Sequence, residues 1–245
     1  MSSGKNRRLM RLFNENGKAL IVPMDHGITM GPIAGIEDIK VAVKKIIECK
    51  VNGIILHKGM AEYVVEDIPV DKALGIHLNA GTSLKKNNTQ KSIVCTVEDA
   101  LYYGADFVSY QLNLGTDEES IYFSEIEKIQ SKCKTYGLPL LGMLYTREID
   151  SDYSLLHAIR VSEELGFDMV KVSCPTNLDT LEKAVKICHI PIFIAGGESM
   201  DDNLFLEKVN GICKTGVAGF AVGRNIFDNS NSNTFVNDIC KVMEK

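Results

Sequence analysis

One lysine stands at the end of an apolar strand pattern, Phe167-Asp168-Met169-Val170-Lys171-Val172. An amine at the margin of a buried strand is poorly hydrated, and desolvation favours its uncharged form. An uncharged lysine amine is a nucleophile that forms a Schiff base with a carbonyl substrate. A lysine at a strand end also serves simply to return charge to solvent, so its reading depends on its neighbours. Schiff-base chemistry needs several proton transfers, to the carbinolamine hydroxyl and to or from the atoms beside the reacting carbon–carbon bond. Asp25 and Tyr145 are residue types that carry out such transfers. Taken alone, Asp25 would equally serve as a helix cap or ion-pair partner, and Tyr145 as a rim aromatic.

Two further groupings suggest ligands. Gly196-Gly197-Glu198-Ser199 and Gly223-Arg224 each follow an apolar run and precede a helical pattern. Glycine lets backbone approach a ligand closely, and amides at a helix start are free to bind an anion. Gly196, Gly197, Ser199, Gly223 and Arg224 are therefore candidates for holding a phosphate, provided the Glu198 side chain turns away. Tight turns alone would also account for the glycines. His26 and His57 with Asp25 suggest a metal site, but a metal needs three convergent ligands and would leave Lys171 without a task. On the residues alone a metal-assisted aldolase using His26 and His57 stays open as the lesser reading; the favoured one needs no metal or cofactor, because lysine would carry the covalent chemistry.

The elements that must position these residues alternate regularly. Apolar runs at Ala19–Val22, Gly53–Leu56, Gly75–Leu78, Phe107–Tyr110, Leu138–Leu144, Met169–Val172, Ile190–Ala195 and Gly219–Val222 read as strands. Between them the spacing predicts helices over 36–50, 58–65, 96–103, 117–136, 151–166, 178–188, 201–215 and 232–244. Gly137 and Gly166 follow two helices in the manner of C-terminal caps. Strands that are apolar on both faces fit a parallel sheet covered by helices, and eight strand–helix units in 245 residues predict a single (β/α)8 barrel domain over 1–245. An open doubly wound sheet fits less well, because G-x-G-x-x-G is missing after the first strand. The stretch 79–92, with polar Lys85–Gln90, reads as a loop. Residues 1–16 read as a basic segment forming a short helix that plugs or flanks the domain, with Leu9, Met10, Leu12 and Phe13 on its apolar side. In a barrel the chemistry gathers where strands end. Asp25-His26, His57-Lys58, Gln111 and Asn113, Tyr145-Thr146-Arg147, Lys171, Gly196-Gly197 and Gly223-Arg224 all fall there.

Composition narrows the function classes. A net charge of −5 argues against nucleic acid, which usually needs a basic surface, but leaves room for small anionic substrates. The seven scattered cysteines, with no C-x-x-C, fit reduced thiols in a cytoplasmic protein better than a disulfide framework or zinc site. Cys174 lies near Lys171 and reads as an ordinary semi-buried residue. The N-terminus has no apolar core of a secretory signal, and no run approaches the roughly 20 residues of a membrane span. No membrane partner is expected.

Taken in order, Val22-Pro23-Met24-Asp25-His26-Gly27 with Gly31-Pro32, Tyr145-Thr146-Arg147, Met169-Val170-Lys171, Ile194-Ala195-Gly196-Gly197 and Val222-Gly223-Arg224-Asn225-Ile226-Phe227 resemble the DhnA-type class I aldolases. That family includes archaeal-type fructose-bisphosphate aldolase and 2-amino-3,7-dideoxy-D-threo-hept-6-ulosonate synthase. The resemblance covers nearly the whole chain. It implies a metal-independent barrel in which Lys171 forms the imine, Tyr145 donates or relays protons and Asp25 is the base. It also implies that His26 and Arg147 join the glycine turns in binding substrate. Partners would be a phosphorylated ketose and an aldehyde, in a homo-oligomer that is commonly a decamer. The chain departs from the family at Val172-Ser173-Cys174-Pro175 and at Glu198-Ser199, both beside the substrate site. The Pro-Met-Asp-His-Gly form lies nearer the aminoheptulosonate synthase branch, which joins a keto-sugar phosphate fragment to L-aspartate semialdehyde on the way to aromatic amino acids. Fructose-bisphosphate aldolase and a catalytically silent sugar-phosphate-binding barrel are the alternatives.

Overall fold

The computed structural model describes residues 3–84, 90–146 and 152–244. Eight strands form a closed parallel barrel in chain order. They are β1 (Ala19–Pro23), β2 (Gly53–Leu56), β3 (Ala73–His77), β4 (Phe107–Leu114), β5 (Leu140–Thr146), β6 (Met169–Val172), β7 (Ile192–Ala195) and β8 (Gly219–Ala221). Closure comes from β1, which pairs Leu20 with Phe220 of β8 on one side and Val22 with Ile54 of β2 on the other. The third strand begins two residues earlier than the sequence pattern suggests, because Ala73 and Leu74 pair with Gly53 and Ile54.

Side chains alternate across each strand, which gives the molecule two apolar layers. The inward set includes Ile21, Ile55, Phe107, Leu141, Met143, Met169 and Phe193. The outward set, including Leu20, Val22, Ile54, Val108, Val170 and Ile194, packs against the helices. Fully burying side chains of this size contributes about 1.5–3 kcal/mol each. Two glycines shape the interior. A Cβ at Gly75 would collide with the Phe107 ring, and one at Gly219 would collide with the Ala19 carbonyl. Their small size lets Phe107 fill the barrel and lets β8 meet β1.

The helices begin where the sequence supplies caps. Asp38 accepts from Lys40 N–H at 2.9 Å ahead of helix Ile39–Ile47, and Thr96 with Asp99 forms a reciprocal capping box ahead of Val97–Tyr102. Gly137 closes helix Glu119–Tyr136 with φ of 63°. The helix expected over 58–65 is instead a turn of α-helix at Lys58–Ala61 and a 3-10 turn at Val65–Asp67. The stretch 79–92 is also more ordered than a loop: Asn79–Ala80 pairs antiparallel with Ser92–Ile93, while 85–89 lie outside the described residues.

Helix Ser3–Leu12 closes the N-terminal end of the barrel. Leu12 is buried in the interior cluster with Leu9 and Phe13 beside it, and the Phe13 ring lies 5.7 Å from that of Phe193. Met10, expected on the same apolar side, is 77% exposed. No helix among the described residues is long and apolar enough to cross a membrane.

Candidate active site

The inward alternation that fills the barrel with apolar groups turns polar at the C-terminal ends of the strands. Two residues beyond inward Ile55 comes His57. Two beyond Gly75, itself two beyond inward Ala73, comes His77. After inward Phe107 follow Ser109, Gln111 and Asn113; after Leu141 and Met143, Tyr145; after Met169, Lys171. On β1 the same count runs Ile21, Pro23, Asp25. Period two alone therefore brings the polar set onto one floor. The result is a cavity of about 230 Å³ whose walls include Asp25, His26, His57, His77, Lys91, Gln111, Tyr145 and Lys171.

Lys171 is 8% exposed, and Met143 on the neighbouring strand places its Sδ 3.9 Å from the amine. Among the described residues no carboxylate forms an ion pair with it. Asp25 stands between two histidines, Oδ1 at 3.8 Å from His26 Nδ1 and Oδ2 at 3.8 Å from His77 Nδ1. Burial pushes the Asp25 carboxyl up, but His77, His26, Lys171 and His57 together outweigh it and hold the group below the usual carboxylate value. Asp25 is thus an anion across the physiological range. The histidines respond the other way. Burial dominates at each, lowering His26 and His57 and taking His77 to about 3 in spite of Asp25. His77 is uncharged at neutral pH, with Nδ1 at 2.7 Å from Ser109 Oγ. The His57 ring meets the His77 ring edge-on at 5.2 Å. Among the described residues, His26 Nδ1 and His57 Nδ1 are buried without a hydrogen-bond partner, and an unmade bond at such an atom costs about 1–3 kcal/mol.

The two glycine turns are fastened to each other beside this cavity. Arg224 Nη2 donates to the Gly197 carbonyl at 3.1 Å. The Asn225 amide donates to the Glu198 carbonyl at 3.0 Å and accepts from Met200 N–H at 2.9 Å. Gly197 has φ of 76°, a left-handed conformation costly for other residues. A Cβ on Gly223 would lie 2.8 Å from His26 Cε1, so the β8 turn sits directly against His26. Arg224 also helps lower His26, after burial and Lys171. Ser199 is exposed next to the turn.

The structure therefore gathers Lys171, Tyr145, Asp25 and His26 around one cavity; Gly223 and Arg224 adjoin it through His26, and Arg224 and Asn225 tie Gly197 and Gly196 to that turn. Arg147 lies outside the described residues. Lys58 pairs with Asp99 at 3.0 Å and does not line the cavity. His77, Asn79 and Lys91 line it and are absent from the sequence-based set. Apolar Leu78 follows His77 and masks it as the strand's end, and Asn79 and Lys91 belong to a polar stretch with no periodicity that nevertheless pairs Asn79–Ala80 with Ser92–Ile93.

A family model for the DeoC/LacD family aldolases matches residues 19–229. The chain belongs to that aldolase family. Among proteins similar in sequence, 2-amino-3,7-dideoxy-D-threo-hept-6-ulosonate synthase 1 of Archaeoglobus fulgidus is 39% identical over 92% of this chain and 85% of its own. The 2-amino-4,5-dihydroxy-6-oxo-7-(phosphonooxy)heptanoate synthase of Streptomyces griseus is 33% identical over 91% of this chain and 84% of its own. Among solved structures, a Schiff-base-forming fructose-1,6-bisphosphate aldolase superposes with a TM-score of 0.89 at 26% identity, covering 98% of this chain and 99% of its own. An archaeal fructose-1,6-bisphosphate aldolase with its catalytic lysine bound to a carbinolamine intermediate gives 0.89 at 25% identity, covering 98% and 100%.

Within this aldolase, Cys174 does not line the Lys171 cavity; its thiol contacts the Pro175 carbonyl at 3.4 Å, and burial pushes it up. Among the described residues no group of three or more His, Cys, Asp or Glu is arranged to hold a metal ion.

Proposed function

We propose that the enzyme is a Schiff-base aldolase that joins a ketone donor to an amino-acid aldehyde. The observation that carries this reading is a buried lysine amine, free of any carboxylate partner among the described residues, facing an ionised Asp25 and the Tyr145 hydroxyl across one small cavity. The Lys171 amine adds to the donor carbonyl to give a carbinolamine. Tyr145 delivers the proton with which the hydroxyl leaves as water, forming an iminium. The Asp25 carboxylate takes a proton from the adjacent carbon to give an enamine, which attacks the aldehyde carbon. The new alkoxide takes that proton back from the Asp25 carboxyl, and hydrolysis of the iminium releases the ketone and restores the amine and the Asp25 carboxylate.

The relatives narrow the substrates. The Archaeoglobus and Streptomyces proteins are named for seven-carbon products with a carboxylate end, an amine on carbon 2 and a ketone on carbon 6. The aldol bond in such a skeleton lies between carbons 4 and 5. The ketone side is the imine-forming donor, and the other side is the semialdehyde of aspartate. The donor, or the ketose from which it is cleaved, carries phosphate; Arg224 and the Gly196–Gly197 and Gly223 turns are the groups suited to hold it. The reading includes metal independence, which full activity in excess EDTA tests, and self-association, which light scattering tests.

The decisive measurement is borohydride reduction in the presence of a panel of phosphorylated ketoses, followed by mass spectrometry. We expect one adduct, located on Lys171 and absent from Lys171→Ala. No adduct with any ketose, or an undiminished adduct in Lys171→Ala, would sink the proposal. Fructose-bisphosphate cleavage is the second reading, favoured by the 0.89 superpositions. It predicts turnover of fructose 1,6-bisphosphate alone, without an amino-acid aldehyde.

A further inference from the structure

The catalytic cavity contains a second lysine that the proposed imine chemistry does not use. Lys91 is half-buried on the wall that faces Asp25 and Lys171. Its position is built. The Lys91 N–H donates at 3.1 Å to the hydroxyl of Tyr122, a fully buried ring, and the next two residues pair with Asn79–Ala80. The stem crosses a glycine, since a Cβ on Gly81 would stand 3.2 Å from Lys91 Cδ. Among the described residues no carboxylate pairs with its ammonium. Burial lowers Lys91, and only Asp25 opposes the shift, so the ammonium carries a desolvation cost that an anionic ligand would relieve.

Topology decides which part of the substrate meets it. The phosphate-type turns follow β7 and β8, whereas Lys91 lies in the connection between β3 and β4. In an eight-membered ring these positions are opposite. A substrate whose donor phosphate rests at Arg224 and whose reacting carbonyl is on Lys171 directs its far end toward Lys91. The charges agree: Asp25 is the one carboxylate on the cavity wall among the described residues, and burial favours the uncharged forms of His26, His57 and His77, which leaves the Lys91 ammonium as the group suited to an anion there.

We infer that Lys91 is the acceptor-specificity residue, its ammonium binding the anionic group, carboxylate or phosphate ester, at the far end of the aldehyde. This rests on the Schiff-base aldolase reading. The test compares wild type, Lys91→Met and Lys91→Arg, each with the donor ketose that gives a borohydride adduct. Three acceptors are used: L-aspartate semialdehyde, D-glyceraldehyde 3-phosphate and neutral butanal. In Lys91→Met the preference for the charged over the neutral aldehyde, as a ratio of kcat/KM, should fall about 10- to 100-fold, the equivalent of one hydrogen bond to a charged group. KM should carry the loss, Lys91→Arg should recover most of it, and the donor adduct on Lys171 should still form. A fall confined to aspartate semialdehyde assigns a carboxylate, and one confined to glyceraldehyde 3-phosphate assigns a phosphate. An unchanged ratio, or a loss shared equally by all three aldehydes, overturns the inference. A wild-type enzyme that forms no donor adduct overturns the aldolase reading first and this inference with it.

Discussion

At the N-terminal end of the barrel, Lys5 meets Asp168 at 2.7 Å with both side chains about a tenth exposed or less. Arg11 meets Asp106, and Arg8 donates to the Gly137 carbonyl at 2.8 Å. At the C-terminal end, Lys171 and Lys91 face a cavity without ion-pair partners among the described residues, and two histidines leave a ring nitrogen unbonded. The same barrel thus satisfies its charges at one end and withholds partners at the other. The paired end ties helix Ser3–Leu12 to the strands and contributes stability. The unpaired end is less favourable to folding and is free to bind a substrate, as barrels commonly divide their two faces.

Substitutions at the two ends should therefore separate activity from stability. The largest effect is expected from Asp25→Asn, which removes the one carboxylate on the cavity wall among the described residues. It should lower kcat by about 10²- to 10⁴-fold, while borohydride still traps donor on Lys171. A variant that retains wild-type kcat would remove Asp25 from the proton transfers.

At the closed end, Lys5→Met leaves Asp168 buried and unpaired. Breaking a buried pair typically costs about 3–5 kcal/mol, to be read from urea unfolding, and turnover per folded molecule should stay as in wild type. A loss of kcat without a loss of stability would contradict the division between the two ends.

A smaller effect links the open end to pH. Folded His77 titrates near 3 and an unfolded histidine near about 6.5. Below pH 6.5 the unfolded chain binds a proton that the folded chain refuses, so stability falls as pH falls. The loss is about 1.4 kcal/mol per pH unit, or about 2 kcal/mol at pH 5. Asp25 stays ionised in both states over this window and adds nothing, whereas His26 and His57 act in the same direction. His77→Gln should flatten the slope of unfolding free energy between pH 7 and pH 5; an unchanged slope would show that His77 is not held uncharged. The smallest change is expected from Met10→Ser at the closed end, within about 0.5 kcal/mol, because that side chain is 77% exposed.

Most of the barrel was legible along the chain. Alternating apolar runs and helical spacing located its strands, and Lys171, Asp25 and Tyr145 could be placed at strand ends by counting. The misses share a cause. The third strand ends at His77, but apolar Leu78 continues its pattern, so His77 falls inside the apolar run and not at its end. Asn79–Ala80 and Ser92–Ile93 pair across a polar insertion that has no periodicity of its own, so Lys91 looked like part of a solvated loop. Met10 shares a helix with Leu9 and Leu12 but falls on the other side of it.

What the sequence determined by itself is the order of strands and helices and the residue type that ends each strand, because side-chain alternation is a local property of backbone geometry. What only the tertiary structure decided is company. Ring closure brings His77 to Asp25, sets Arg224 on the Gly197 carbonyl, and carries Lys91 to the wall opposite the glycine turns. Those neighbours come from distant parts of the chain, and their charge states follow from burial, which the closed barrel creates.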